Sequence, residues 1–172
     1  MILDLREFDD FPVKVFVEGT SEEFQGFAPE VLKVETVGLM VTVQHSGQEY
    51  FCQGQVAASV ELECSRCLTP TPVRLTAGTD FIVRSDANSA PTDRAIADDE
   101  DYVYMHGSDL RADTTEVVRQ ALVLSLPMKP LCAESCRGFC PSCGANLNLR
   151  TCGCATSNDD GRWSALNGLM SG

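Results

Sequence analysis

Eight of the nine cysteines in this chain fall into four close pairs: Cys64-x2-Cys67, Cys132-x3-Cys136, Cys140-x2-Cys143 and Cys152-x-Cys154. That spacing is the strongest constraint on the fold. Two thiolates must turn their backbone around one ion to reach it at ~2.3 Å, and short spacings allow this. Pro141 and Gly144, beside Cys140 and Cys143, suit such a knuckle. A single CxxC says little, because redox pairs and core cysteines share it. Two pairs inside fifteen residues, Cys140 to Cys154, say much more.

The compartment decides between metal and disulfides. The N-terminus, Met1-Ile2-Leu3-Asp4-Leu5-Arg6-Glu7, has no basic start, apolar run or small-residue cleavage site. The cysteine count is odd, and no stretch approaches the ~18 apolar residues of a membrane span. The expectation is a cytoplasmic protein with no membrane association, in which clustered cysteines are metal ligands. Soft thiolates in a closed four-coordinate site favour zinc, with an iron–sulfur cluster as the minority choice.

Four pairs combine into two four-cysteine sites in three ways. Loop closure favours near neighbours, although only by ~0.6 kcal/mol per doubling of length. The nearest set is Cys140, Cys143, Cys152 and Cys154. Cys64 and Cys67 would then meet Cys132 and Cys136. The alternative is one zinc only, with Cys64 and Cys67 or Cys132 and Cys136 left as thiols. Cys52, alone in an apolar run, reads as a buried thiol. His45 and His106 lie away from every pair and read as ordinary residues.

With 44% hydrophobic residues the chain has enough material for a core. Residues 1–84 read as a β-rich part, with strands at 13–17, 39–43, 56–62 and 73–83, the last interrupted near Gly78. A hairpin turn is expected at 44–49. Residues 85–112 read as an acidic loop or linker containing Asp98-Asp99-Glu100-Asp101, a run that suits a solvated loop better than a carboxylate metal site. Residues 113–126 read as one helix, opened by a capping box at Asp113-Thr114-Thr115-Glu116, with Val117, Val118, Ala121, Leu122 and Leu126 on its apolar face. Residues 127–172 form the cysteine-rich module, closed by a short helix carrying Trp163, Leu166, Leu169 and Met170. The fold class is α+β: a small antiparallel sheet, one packed amphipathic helix and a C-terminal zinc module.

Catalysis finds no support. There is no Ser/His/Asp order, no phosphate-cradling glycine loop, no cysteine with a plausible base, and no reason to expect a small-molecule substrate. A net charge of −12 argues against a histone-like nucleic-acid binder.

The segment Glu61-Leu62-Glu63-Cys64-Ser65-Arg66-Cys67-Leu68 resembles the CxRC signature of the YceD family, the large ribosomal RNA subunit accumulation proteins. Leu126-Pro127-Met128-Lys129-Pro130-Leu131-Cys132, Cys136-Arg137-Gly138-Phe139-Cys140-Pro141-Ser142-Cys143-Gly144 and Asp160-Gly161-Arg162-Trp163 are similar to its later signatures. The likeness runs from about residue 50 to 170. It implies a non-enzymatic role in accumulation, processing or assembly of large-subunit ribosomal RNA. The implied partner is that RNA, a large-subunit ribosomal protein or an assembly intermediate. The cations near the cysteine pairs, Arg66, Arg74, Lys129, Arg137 and Arg150, are the candidates for such contact. A rival of another class is a zinc-dependent thiol redox switch, in which oxidation releases the ion and alters the fold.

Overall fold

The computed structural model describes residues 1–85, 102–105 and 110–154. The chain divides after Cys132 into two compact bodies, Met1–Cys132 and Ala133–Gly172.

The first body is built on seven strands: β1 (Ile2–Asp4), β2 (Val13–Gly19), β3 (Val31–Ser46), β4 (Glu49–Glu63), β5 (Pro70–Ser85), β6 (Tyr102–Met105) and β7 (Arg111–Asp113). Helix α1 (Ser21–Phe24) follows β2, and α2 (Thr115–Ser125) follows β7. The order across the sheet is β1-β7-β6-β5-β4-β3-β2, and its two ends, β1 and β2, lie in contact. The sheet is therefore curled and nearly closed. This corrects the expectation of a small antiparallel sheet: it has seven strands, and β5 and β6 pair in parallel.

Alternation explains the long strands. In β3, Val37, Leu39, Val41 and Val43 are buried while Met40 and Gln44 are exposed. Their partners Ala58, Val56 and Cys52 on β4 are buried too, so one face of the ladder is continuous core. A one-residue slip would turn that whole face to water, which fixes the register. The β3–β4 turn holds only Gly47 and Gln48, with Gly47 at φ 66°. β5 runs unbroken through Gly78, which pairs with Gln55, so the expected interruption is absent. Arg84 ties three strands: it donates to Glu49 on β4 and lies 4.6 Å over the Tyr102 ring on β6.

Helix α2 buries Val118, Ala121 and Leu122 against β5 and β4. Its start differs from the expected capping box. Asp113 Oδ1 accepts from the Thr115 amide at 2.9 Å, and no side chain caps through Thr114. The Thr114 hydroxyl is buried and donates to the Met1 carbonyl at 3.1 Å. A capping box does exist, at α1, between Thr20 and Glu23. The stretch read as a linker contains β6 and β7. The acidic run 98–101, His106 and the expected closing helix with Trp163 lie outside the described residues.

The helix–sheet contact has a direct test. Leu122→Ala, at a fully buried site, should lower unfolding free energy by about 2–5 kcal/mol in urea titrations. Leu124→Ala, at a side chain 87% exposed on the same helix, should change it by less than about 0.5 kcal/mol.

Candidate metal centres

None of the nine cysteines forms a disulfide. In the first body, the loop between β4 and β5 carries Cys64 and Cys67, and Cys132 ends the segment that follows α2. A bond from the Ser65 amide to the Pro130 carbonyl, 2.8 Å, holds that segment to the loop. The three sulfurs lie within 4.8 Å of one another, and those of Cys67 and Cys132 are 3.6 Å apart. In the second body, the sulfurs of Cys140, Cys143, Cys152 and Cys154 also lie within 4.8 Å of one another. Four thiolates at ~2.3 Å around a tetrahedral ion stand about 3.8 Å apart, so the donor spacing fits a closed thiolate site.

Both CxxC turns share one backbone design. The Cys64 amide donates to the Thr69 carbonyl at 3.1 Å, and the Leu68 amide donates back to the Cys64 carbonyl at 2.9 Å. The Cys140 amide donates to Ala145 at 2.8 Å, and the Gly144 amide returns to Cys140 at 2.9 Å. The residue after the second cysteine takes a left-handed conformation in each, φ 53° at Leu68 and φ 68° at Gly144. Glycine adopts this readily; leucine does so at a steric cost. The matched loops make two knuckles, the first with Leu68 at the position that Gly144 holds in the second.

Electrostatics favour thiolates inside the turns. Burial pushes the Cys64 thiol up, but amides of Arg66, Cys132 and Cys67 aimed at its sulfur outweigh this and bring it to about 6. Amides of Cys143 and Ser142 bring Cys140 to about 6 as well. Cys67 is lowered mainly by the Thr69 hydroxyl, 3.3 Å away. Cys154 moves the opposite way, to about 12, because its thiol is held protonated by hydrogen bonds to the sulfurs of Cys143 and Cys140, with burial and their negative charge adding to the effect. Four sulfurs this close cannot all ionise unless a cation joins them. Cys52 is a contrast: it sits in the core and burial alone raises it to about 12.

In the second body, the Asn148 amide group donates to the Cys136 sulfur at 3.2 Å, and Asn148 Oδ1 accepts from the Arg137 amide at 2.8 Å. Asn148 is thus a supporting residue that sequence spacing alone did not single out. The Arg150 amide bonds to the Asn146 carbonyl, so Arg137 and Arg150 belong to one small hydrogen-bonded unit. In the first body, Arg66 and Lys129 adjoin the Ser65–Pro130 junction, while Arg74 lies on β5 opposite Ser59. All five side chains are exposed. His45 stacks on Tyr50 at 4.4 Å between ring centroids and faces Phe11.

Residues 52–170 match the family described as "Large ribosomal RNA subunit accumulation protein YceD". The chain belongs to the YceD family. Uncharacterised proteins of Mycobacterium bovis and Mycobacterium tuberculosis are 33% identical over 138 residues, 78% of this chain and 58% of theirs. A Zea mays protein named "Large ribosomal RNA subunit accumulation protein YCED homolog 1, chloroplastic" is 27% identical over 140 residues, 68% of this chain and 47% of its own. The chain spans about half the length of these curated relatives. No solved structure matches it. The family match covers every paired cysteine, and no described helix is long and apolar enough to cross a membrane.

Two outcomes follow for bound metal. Cys140→Ser should remove one equivalent of metal per chain, whereas Cys52→Ser should remove none, as read by elemental analysis of reduced protein. The ligand is the thiolate, present above its pKa, so binding is lost as pH falls. Protons compete with the ion for all four sulfurs, so acid titration of the metal-loaded chain should release the metal as pH falls.

Proposed function

We propose that this chain is a non-catalytic ribosome-biogenesis factor, supporting accumulation of large-subunit ribosomal RNA through a surface held in shape by two zinc ions. The observation that carries this reading is the family match over residues 52–170, which spans both cysteine clusters. Zinc is the ion because the donors are sulfur alone and a structural site needs no redox activity or open position. The second site uses Cys140, Cys143, Cys152 and Cys154. The first uses Cys64, Cys67 and Cys132, with Cys136 as fourth ligand. Four residue steps from Cys132 reach at most ~13 Å, so the chain can readily return Cys136 to the same ion. Structural zinc supplies ~10–16 kcal/mol of apparent folding free energy in small modules.

The non-catalytic reading rests on committing the paired thiolates to metal, which leaves none of them as a nucleophile. Clustered cysteines without disulfides support a reducing setting such as the cytoplasm. The relative from Zea mays is named chloroplastic. Contact with ribosomal RNA or an assembly intermediate falls to Arg66, Arg74 and Lys129 in the first body and to Arg137 and Arg150 in the second. These act against an overall charge of −12, so affinity should be modest and salt-sensitive.

The test combines Arg66→Ala, Lys129→Ala and Arg137→Ala. Removing each cation that meets a phosphate should reduce the log–log salt slope of binding to large-subunit precursors by about 0.7–0.9. The variant should keep its zinc and its thermal unfolding midpoint, and cells relying on it should accumulate less large-subunit RNA. Unchanged association and RNA levels with intact zinc would remove these cations from the account.

A further inference from the structure

A groove of ≈ 730 Å³ opens on the first body between the turn after α1, the start of β3, the first knuckle and the end of α2. Its apolar wall includes Leu32, Leu62, Leu68, Val123, Leu126 and Met128. Four of these are unusually open for their type: Leu32 is 41% exposed, Leu68 57%, Val123 43% and Met128 98%. Contiguous apolar surface of this kind marks interaction sites. Leu68 adds an independent sign. Its backbone is in the left-handed region that Gly144 occupies in the matching knuckle, so the turn itself would be better served by glycine. What leucine contributes there is a side chain on the groove wall.

Charge narrows the occupant. Apart from Cys64, the ionisable side chains lining the groove are Glu30 and Glu63, and no Lys or Arg lines it. Arg66 and Lys129 neighbour lining residues in sequence but are not part of the wall. Two carboxylates in a chain of charge −12 disfavour an RNA backbone here and favour a cationic segment. Backbone geometry narrows it again. Strand addition needs a regular edge, but the start of β3 has register shifts between Val31 and Lys33 and between Val34 and Thr36. Such bulges blunt an edge against pairing.

We propose that this groove docks an amphipathic helix of a basic protein partner. The helix places large apolar side chains at i, i+3 or i+4 and i+7 against Leu68, Val123 and Met128, and its Lys or Arg residues beside Glu30 and Glu63. The proposal does not depend on the ribosomal reading, and its test uses no RNA-accumulation readout.

The full-length, metal-loaded chain is used to select from a displayed library of helical peptides, about 18 residues or five turns long. The library has a fixed Leu/Met stripe and flanks randomised between Lys and Glu. Lys-flanked sequences should be enriched. The best of them should bind roughly tenfold more weakly to Met128→Asp, a change at an almost fully exposed side chain. Amide shifts on titration should map to the groove. Leu68→Gly should raise the unfolding midpoint by about 2–4 °C while weakening the peptide severalfold, opposite signs that a merely structural leucine would not give. No enrichment above the Met128→Asp background, or enrichment of Glu flanks, would overturn the proposal. So would shifts at the groove produced by single-stranded RNA or by raising the protein concentration alone.

Discussion

Mutual repulsion among crowded thiolates is the constraint on which the rest depends. Backbone amides in the knuckles draw Cys64 and Cys140 toward the ionised form, yet the neighbours of Cys154 hold its proton on. A divalent cation would resolve that conflict by neutralising part of the charge at the centre of a cluster. The second body has little else to hold its described part together. Its buried side chains there are few, among them Cys136, Cys140 and Ala145, and its only described ladder is a single bridge between Phe139 and Asn146. In modules this small, a metal centre takes the place of a hydrophobic core.

The first body solves the same problem with apolar surface. The inward faces of β3 and β4 and the buried side of α2 form a continuous core, and the curled sheet leaves its end strands in contact. Its loop 64–69 then needs only local bonds, and the Ser65–Pro130 link brings Cys132 to it. One knuckle geometry thus serves on two different supports.

Legibility in the sequence followed the strength of each physical signal. Helix α2 was readable because its 3.6 period ran over many residues. Runs of β-branched residues gave only parts of the β3–β4 hairpin, 39–43 and 56–62, of strands that extend over Val31–Ser46 and Glu49–Glu63. β1, β6 and β7 were not readable, because strands of three or four residues carry no period. The cap at α2 was read only in part: Asp113 does supply a side-chain acceptor, to the Thr115 amide, but Glu116 pairs with Arg119 rather than completing the box. The real capping box at Thr20 opens a helix too short to show a pattern. Gly78 suggested a break that the continuous pairing of β5 with β4 overrides. For the site, cysteine spacing brought out the second cluster directly. Asn148 and the left-handed Leu68 carried no such signal, since Asn148 acts through its side-chain amide and Leu68 reads as an ordinary apolar residue. The five cations were visible as residues, but their grouping by body came only from the fold.

X-ray absorption at the zinc edge on protein purified under reducing conditions tests the central claim most directly. The account predicts two zinc ions per chain, each with four sulfur neighbours at ~2.3 Å and no nitrogen or oxygen in the inner shell. A folded, metal-free chain, or an inner shell containing oxygen or nitrogen, would contradict it.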